Sequence, residues 1–422
     1  MSAPPPRFPF SFRGDRLAPE LAAMAAAGPV GRVTTNTGDT AWLVAGYEEA
    51  RAVLRDRRFS LGRTSDPDCP RQDPLLPPPT VTDTIGHFRR SGTLAALHRG
   101  VGPEQEHLTR ARTAETVRAV LRPFLAGPGQ PADLVAGFVV PVSRALTFAL
   151  LGLTDDPGLD HTTLLGIFRT GAASEHSVPR DWDAGRAYMY GQLPRLRREG
   201  GGLLGRLVGP ADRSGALTEE ELADLFLFLL ISQYGNPATF LGAACVALMR
   251  HPRTMRRLRR SPGLMPRAVE ELLRWTVFLG DGLPRIARED VTVGGVRIRR
   301  GELVLVSTDA ANHDPRVFPA PWRLDIDRDP CPHLRFSDGR HRCPGRSLAV
   351  FQASVTLRTL LEETQELTLA VPADDIDWHS YHAITLPRSL PVRWRATPHG
   401  PAAHGTAPHD TAAPTPQEAP HH

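Results

Sequence analysis

The spacing of hydrophobic and polar positions changes along this chain, and the changes mark its elements. Near the N-terminus, residues 31–35 and 41–44 read as a strand pair, and 47–54 carries the three-to-four spacing of a helix. Helical spacing then dominates from residue 104 to about 274. Short strands are expected at 291–298 and 303–307, coil over 312–338, and a last long helix from Arg346. Strands near both ends with helices between predict a mainly α chain with small β-sheets, α+β in class, folded as a single domain.

The clearest helix starts at Thr218. Thr218 followed by Glu221 makes a capping box, in which hydroxyl and carboxylate each satisfy a free backbone N–H. The apolar pattern runs on to about Met249 and stops before Pro252. That is roughly 30 residues, or about 45 Å, enough to cross a domain. Its centre is apolar nearly all round, so the helix should be buried. Pro237 sits in mid-course and cannot donate to the carbonyl of Gln233, so the helix is expected to kink or open there. A broken helix inside a core often faces a ligand.

Both ends look peripheral. Residues 1–16 are proline-rich and read as a flexible arm; 398–422 are poor in large apolar residues and read as a disordered tail. The span 17–397 is then one catalytic domain. At 41% hydrophobic and 23% charged the composition is that of a globular chain. The net charge is only +4, with basic residues interleaved among acids, which argues against nucleic acid as a partner. Every one of the 50 basic residues is arginine, pointing to a GC-rich, actinobacterial genome. No apolar stretch is long enough for a membrane anchor or signal peptide, and Cys69, Cys245, Cys331 and Cys343 form no paired framework. A cytoplasmic location follows as the expectation.

The chemistry concentrates at Phe336-Ser-Asp-Gly-Arg-His-Arg-Cys343-Pro-Gly345. A coil rich in turn residues delivers Cys343 to a helix start, with Pro344 suited to the first helical position. Free N–H groups, the helix dipole, Arg340 and Arg342 should favour thiolate over thiol. Gly339 and Gly345 should leave the backbone open to a flat cofactor. A lone cysteine in this setting would read as structural; the surrounding spacing argues otherwise.

That segment resembles the haem-binding loop of the cytochromes P450, Phe-x-x-Gly-x-x-x-Cys-x-Gly, at Phe336, Gly339, Cys343 and Gly345, with His341 also in a familiar place. The resemblance extends over about residues 15–397. It implies the family's mainly helical fold and a haem b (iron protoporphyrin IX) whose iron is ligated by Cys343. Glu271 and Arg274, three apart on one helix face, match the family's Glu-x-x-Arg, with Arg323 as the third member. Arg285 matches the strand arginine that holds one haem propionate. His107 and Arg112 match the helix that holds the other, although their spacing is altered. The resemblance further implies a small-molecule substrate, separate ferredoxin and ferredoxin reductase partners, no membrane attachment and a monomer. Arg335, Arg340, Arg342 and Arg346 are candidates for the ferredoxin patch. Substrate contacts are expected from Leu230, Gln233, Tyr234, Phe278, Leu279 and Leu283, and pocket walls also from 80–97 and 168–190.

The long helix departs from the family. Where an acid–alcohol pair usually stands, this chain has Gly235 and Asn236, followed by Pro237. That pair relays protons to bound dioxygen, and an amide is no useful proton source near neutral pH. Two enzymatic readings follow. One is oxidative tailoring of a small or medium natural product by hydroxylation, desaturation or ring formation, with the substrate helping to deliver protons. The other is a haem-thiolate isomerase, dehydratase or peroxide-using enzyme needing no external electrons. A third, a haem- or ligand-binding protein without activity, fits the intact cysteine motif less well.

Overall fold

The computed structural model describes residues 4–12, 14–102, 110–127, 129–156, 158–171, 174–277, 279–379 and 383–396. Helices make most of it. The long helix spans Glu219–Arg250, and its capping box forms as the sequence requires: Glu221 N–H donates to Thr218 Oγ1 at 3.1 Å and Thr218 N–H to Glu221 Oε2 at 2.8 Å. It is buried along most of its length, surrounded by the helices Val140–Leu151, Ser174–Glu199 and Arg346–Glu363. The helix stays continuous through Pro237. The expected opening is absent because the carbonyl of Gln233, which Pro237 cannot serve, accepts the Thr147 hydroxyl at 2.8 Å.

Among the described residues, ten short strands form three sheets. β1 (Val30–Thr34) and β2 (Thr40–Val44) pair antiparallel; β8 (Leu303–Val306) lies parallel to β2, followed by β5 (Leu283–Ala287) and β3 (Phe59–Ser60). β6 (Val291–Val293) and β7 (Val296–Ile298) make a hairpin; β4 (Ala132–Asp133), β10 (Pro391–Ala396) and β9 (Thr364–Leu369) make the third sheet. β8 draws on residues far from β2 in sequence, so this sheet ties the N-terminal part to the C-terminal half. Residues 312–338 are coil, as expected.

One expectation about the ends is overturned. The proline-rich stretch before residue 13 is laid against β1: Phe8 N–H donates to Thr34 O at 2.8 Å, and Thr34 N–H to Pro6 O at 2.9 Å. Phe8 and Phe10 are buried in a cluster with Val33, Leu43 and Leu305. Burying two aromatic rings outweighs the mobility that the prolines suggested. The tail at 398–422 lies outside the described residues. No helix among the described residues is long and apolar enough to cross a membrane.

Candidate active site

Cys343 closes a tight loop. Its N–H donates to Phe336 O at 2.9 Å, and inside the loop Arg342 N–H donates to Gly339 O at 3.2 Å. Gly339 has φ +70°, and a Cβ there would stand 2.8 Å from the carbonyl oxygen of Leu54. Its glycine is thus demanded by the helix Tyr47–Arg55 behind the loop, not by room for a cofactor. Gly345, in contrast, faces the cavity. The helix begins at Arg346, so Pro344 lies in the turn before it.

The sulfur is less acidic than the sequence suggests. Burial pushes the Cys343 thiol up, and a backbone N–H from Gly345 pulls it only partly back. Arg340 is exposed and Arg342 lines the cavity, and neither arginine draws the thiol back down. Cys343 nonetheless carries accessible surface, because it lines an internal cavity. A thiolate here requires a cation bound directly to it.

That cavity has a volume of about 420 Å³. Its walls are mostly apolar, including Phe88, Leu97, Phe240 and Leu241, and among the described residues no Asp or Glu lines it. Arg285 on β5 lies outside that lining but near His341, which is part of it; Arg285 is 2% exposed and its Nη1 donates to the Pro284 carbonyl at 2.7 Å. No described carboxylate pairs with it. Burial, then the nearby Arg340, lowers it to about 10; His341 is held at about 4 by burial, then by Arg285 and Arg340. A buried guanidinium without a described acid, near a second cation in Arg340, suits an anionic ligand. A haem fits this arrangement: iron to the Cys343 sulfur and a carboxylate to Arg285, with His341 beside it.

The opposite wall comes from the long helix, whose cavity face carries Ser232, Gln233, Asn236, Pro237, Phe240 and Leu241. Asn236 Nδ2 donates to Ser232 O at 3.3 Å. Gly235 faces elsewhere: a Cβ there would stand 2.6 Å from the Phe168 ring. The position of the usual acid is therefore closed by packing. Tyr234 also points away, its hydroxyl bonded to His161 Nδ1 in the core, and Leu230 is fully buried off the cavity. Both lie on the wrong face of the helix to touch a substrate. Leu279 and Leu283 do line the cavity, while Phe278 lies outside the described residues. The 80–97 segment contributes as expected, but 168–190 contributes nothing; its Phe168 backs the long helix instead. His107 lies outside the described residues, and Arg112 is exposed on the helix Arg110–Leu125, away from the cavity lining.

Behind the cysteine loop, Glu271 and Arg274 are 1% and 0% exposed and paired twice, Nε to Oε2 at 2.7 Å and Nη2 to Oε1 at 2.8 Å. Arg274 also donates to the carbonyls of Asn312 and Pro321 at 3.0 and 2.9 Å, pinning the coil. The third member is Arg328, whose Nε reaches Glu271 Oε2 at 3.2 Å. Arg323 turns out to solvent and pairs with Asp325. Spacing placed the partner five residues too early, because the coil loops back before its arginine meets Glu271. Arg335, too, is buried, bonded to Asp309 and to the Leu273 carbonyl, so it cannot serve a docking patch. Thr147 and Arg328 were the functional positions that sequence reasoning missed; neither sits in a motif.

A cysteine presented from such a loop, facing a cavity closed by a long buried helix, with a buried arginine that has no described acid nearby, defines a haem-thiolate protein. The comparisons specify the family. Residues 210–377 match the profile described as Cytochrome P450. Mycocyclosin synthase of Mycobacterium tuberculosis is 34% identical over 394 residues, 92% of this chain and 98% of that one. Mycinamicin IV hydroxylase/epoxidase of Micromonospora griseorubida is 36% identical over 414 residues, 93% and 100%. The crystal structure of HinD with NMFT and NO superposes with a TM-score of 0.83 at 36% identity, covering 93% of this chain and 100% of that one. The chain belongs to the cytochrome P450 family, and its cofactor is a haem iron held by a thiolate.

Proposed function

We propose that this P450 oxidatively tailors a neutral, largely apolar natural product of small to medium size. The observation that carries this is the cavity itself: Cys343 and Asn236 line it together, apolar side chains wall it, and no Asp or Glu does so among the described residues. A cationic substrate would find no counter-charge there. The names of the relatives, a synthase and a hydroxylase/epoxidase, support oxidative tailoring.

Haem b held by Cys343 supplies an oxidising centre when dioxygen and electrons reach it. The residues of this chain then bind and orient. Arg285 and His341 would hold the carboxylate edge of the haem, while Phe240 and Leu241 exclude water from the apolar wall. Neither Gly235 nor Asn236 can release a proton at neutral pH. Proton delivery is accordingly assigned to a hydroxyl of the substrate with ordered solvent.

Electrons are proposed to come from a ferredoxin and its reductase, in a reducing cytoplasm that suits four unpaired cysteines. Arg340 supports this: it is exposed in the cysteine loop, is not part of the cavity lining and pairs with no described carboxylate. An acidic electron carrier would meet complementary charge there. The protein is taken to act as a monomer.

The test supplies candidate substrates with ferredoxin, reductase, NAD(P)H and dioxygen, and separately with peroxide or with no oxidant. Turnover only in the complete mixture supports the proposal. Turnover without dioxygen and electrons overturns it in favour of an isomerase, dehydratase or peroxide-driven reaction.

A further inference from the structure

Part of the cavity wall is coil, the stretch that joins the helix Met265–Trp275 to β5. Leu279, in that coil, lines the cavity together with Leu273 and Leu283. Its N–H donates to Asp309 Oδ2 at 2.9 Å, and the N–H of Gly280 donates to Ala383 O at 3.0 Å. The place of Leu279 in the wall thus depends on a carboxylate 30 residues further along the chain.

Asp309 is 1% exposed, and a buried carboxylate needs a partner. Arg335 supplies it: its Nη1 donates to Asp309 Oδ1, and the arginine is itself buried. The remaining nitrogens serve the end of the neighbouring helix, Nε donating to Leu273 O at 2.9 Å and Nη2 to Thr276 O. Leu273 lies in the last turn, where carbonyls lack helical N–H partners and the helix dipole favours a cation. Arg335 also precedes Phe336, whose carbonyl accepts the Cys343 N–H at 2.9 Å. One guanidinium therefore ties the cysteine loop to the helix end and, through Asp309, to the backbone of Leu279. Charge-assisted bonds in a buried setting are short and directional, so this stretch of coil is held in a fixed place.

We propose that the Asp309–Arg335 pair positions Leu279, and so sets the size of the group that the cavity admits beside Cys343. The pair acts through Leu279, whose side chain meets the ligand. This inference rests on the reading of the cavity as the substrate site.

The experiment titrates the ferric holoenzyme with imidazole and with phenylimidazole, following the haem absorption. Both probes offer the iron a ring nitrogen, and they differ by one apolar ring. Asp309→Leu with Arg335→Met removes the pair without leaving a buried charge unpaired. Leu279→Ala removes the wall contact itself. Each change is expected to weaken phenylimidazole about tenfold and to leave imidazole within about twofold, a split that general loosening would not give. All the changes together should weaken phenylimidazole no further than Leu279→Ala alone, because one acts through the other. The proposal is overturned if both probes weaken alike, if neither changes, or if the effects of the pair and of Leu279 add. Should the paired replacement fail to load haem, Asp309→Asn, which keeps the shape and loses the charge, is read in the same way. A parent protein whose haem absorption ignores both probes would overturn the reading of the cavity itself, so the two failures are told apart.

Discussion

The hydroxyl of Thr147 donates to the carbonyl of Gln233 at 2.8 Å, across from one helix to another. This is the carbonyl that Pro237 leaves without an N–H partner, and it lies in the wall of the active-site cavity. The bond keeps the long helix continuous where a proline would otherwise open it. Thr147→Val should cost about 1–3 kcal/mol, the penalty of an unsatisfied buried carbonyl. Adding Pro237→Ala, which restores an N–H, should recover most of that loss. Thermal midpoints of the two single variants and the double variant check both statements; an additive double variant would show that the bond is incidental.

Arg285 predicts effects of opposite sign on the protein with and without its cofactor. The guanidinium is buried and has no described carboxylate partner, so Arg285→Leu should raise the melting temperature of the haem-stripped chain. The same change should speed loss of haem to a scavenger at least tenfold, because a propionate loses its cation. Melting of the stripped chain and the kinetics of haem transfer measure the two separately.

Behind the cysteine loop, Arg328, which meets Glu271, and Arg323, which the resemblance pointed to, should behave differently. Arg328→Ala removes a partner of the buried Glu271 and is expected to cost about 3–5 kcal/mol, with poor haem retention. Arg323→Ala breaks only an exposed pair with Asp325 and should cost under about 0.5 kcal/mol. Denaturant midpoints and haem content of the two variants decide between them.

His313 makes stability sensitive to acid. It is buried, stacked on Trp322 with ring centroids 4.1 Å apart, and burial holds it at about 3, below the ordinary value of 6.5. The unfolded chain therefore binds a proton between these values and the folded one does not. The contribution is fully present above about pH 6.5 and is lost as pH falls towards about 3, at up to ~1.4 kcal/mol per pH unit. His313→Gln should flatten the fall of the thermal midpoint between pH 6.5 and 4; an unchanged slope would assign the acid sensitivity to other groups.

Restoring the family's acid at Gly235 should fail for a steric reason. A Cβ there meets the Phe168 ring at 2.6 Å, so Gly235→Asp is expected to cost about 1–3 kcal/mol. Phe168→Ala in the same chain should relieve the clash. Melting temperatures of the single and double variants test this, and only the relieved pair with Asn236→Thr is a fair trial of an acid–alcohol relay.

Much of this protein was legible in its residues alone. Cys343 and its loop, the capped helix from Thr218, the Glu271–Arg274 pair and the β1–β2 hairpin all follow from spacing along the chain. They are local: a cap, a turn or a three-residue helical step is set by the backbone within a few residues.

What only the tertiary structure decided is which way side chains face and what meets them from far along the chain. The long helix is apolar nearly all round, so its pattern carries no phase. Nothing local separates Gln233, which faces the cavity, from Tyr234, which bonds His161 in the core, or from Gly235, pressed against Phe168. Arg328 in place of Arg323, Thr147 beneath Pro237, and Phe8 and Phe10 docked beside β1 were hidden for the same reason. Each contact joins residues distant in sequence, and its energy depends on packing that exists only once the chain has closed on itself.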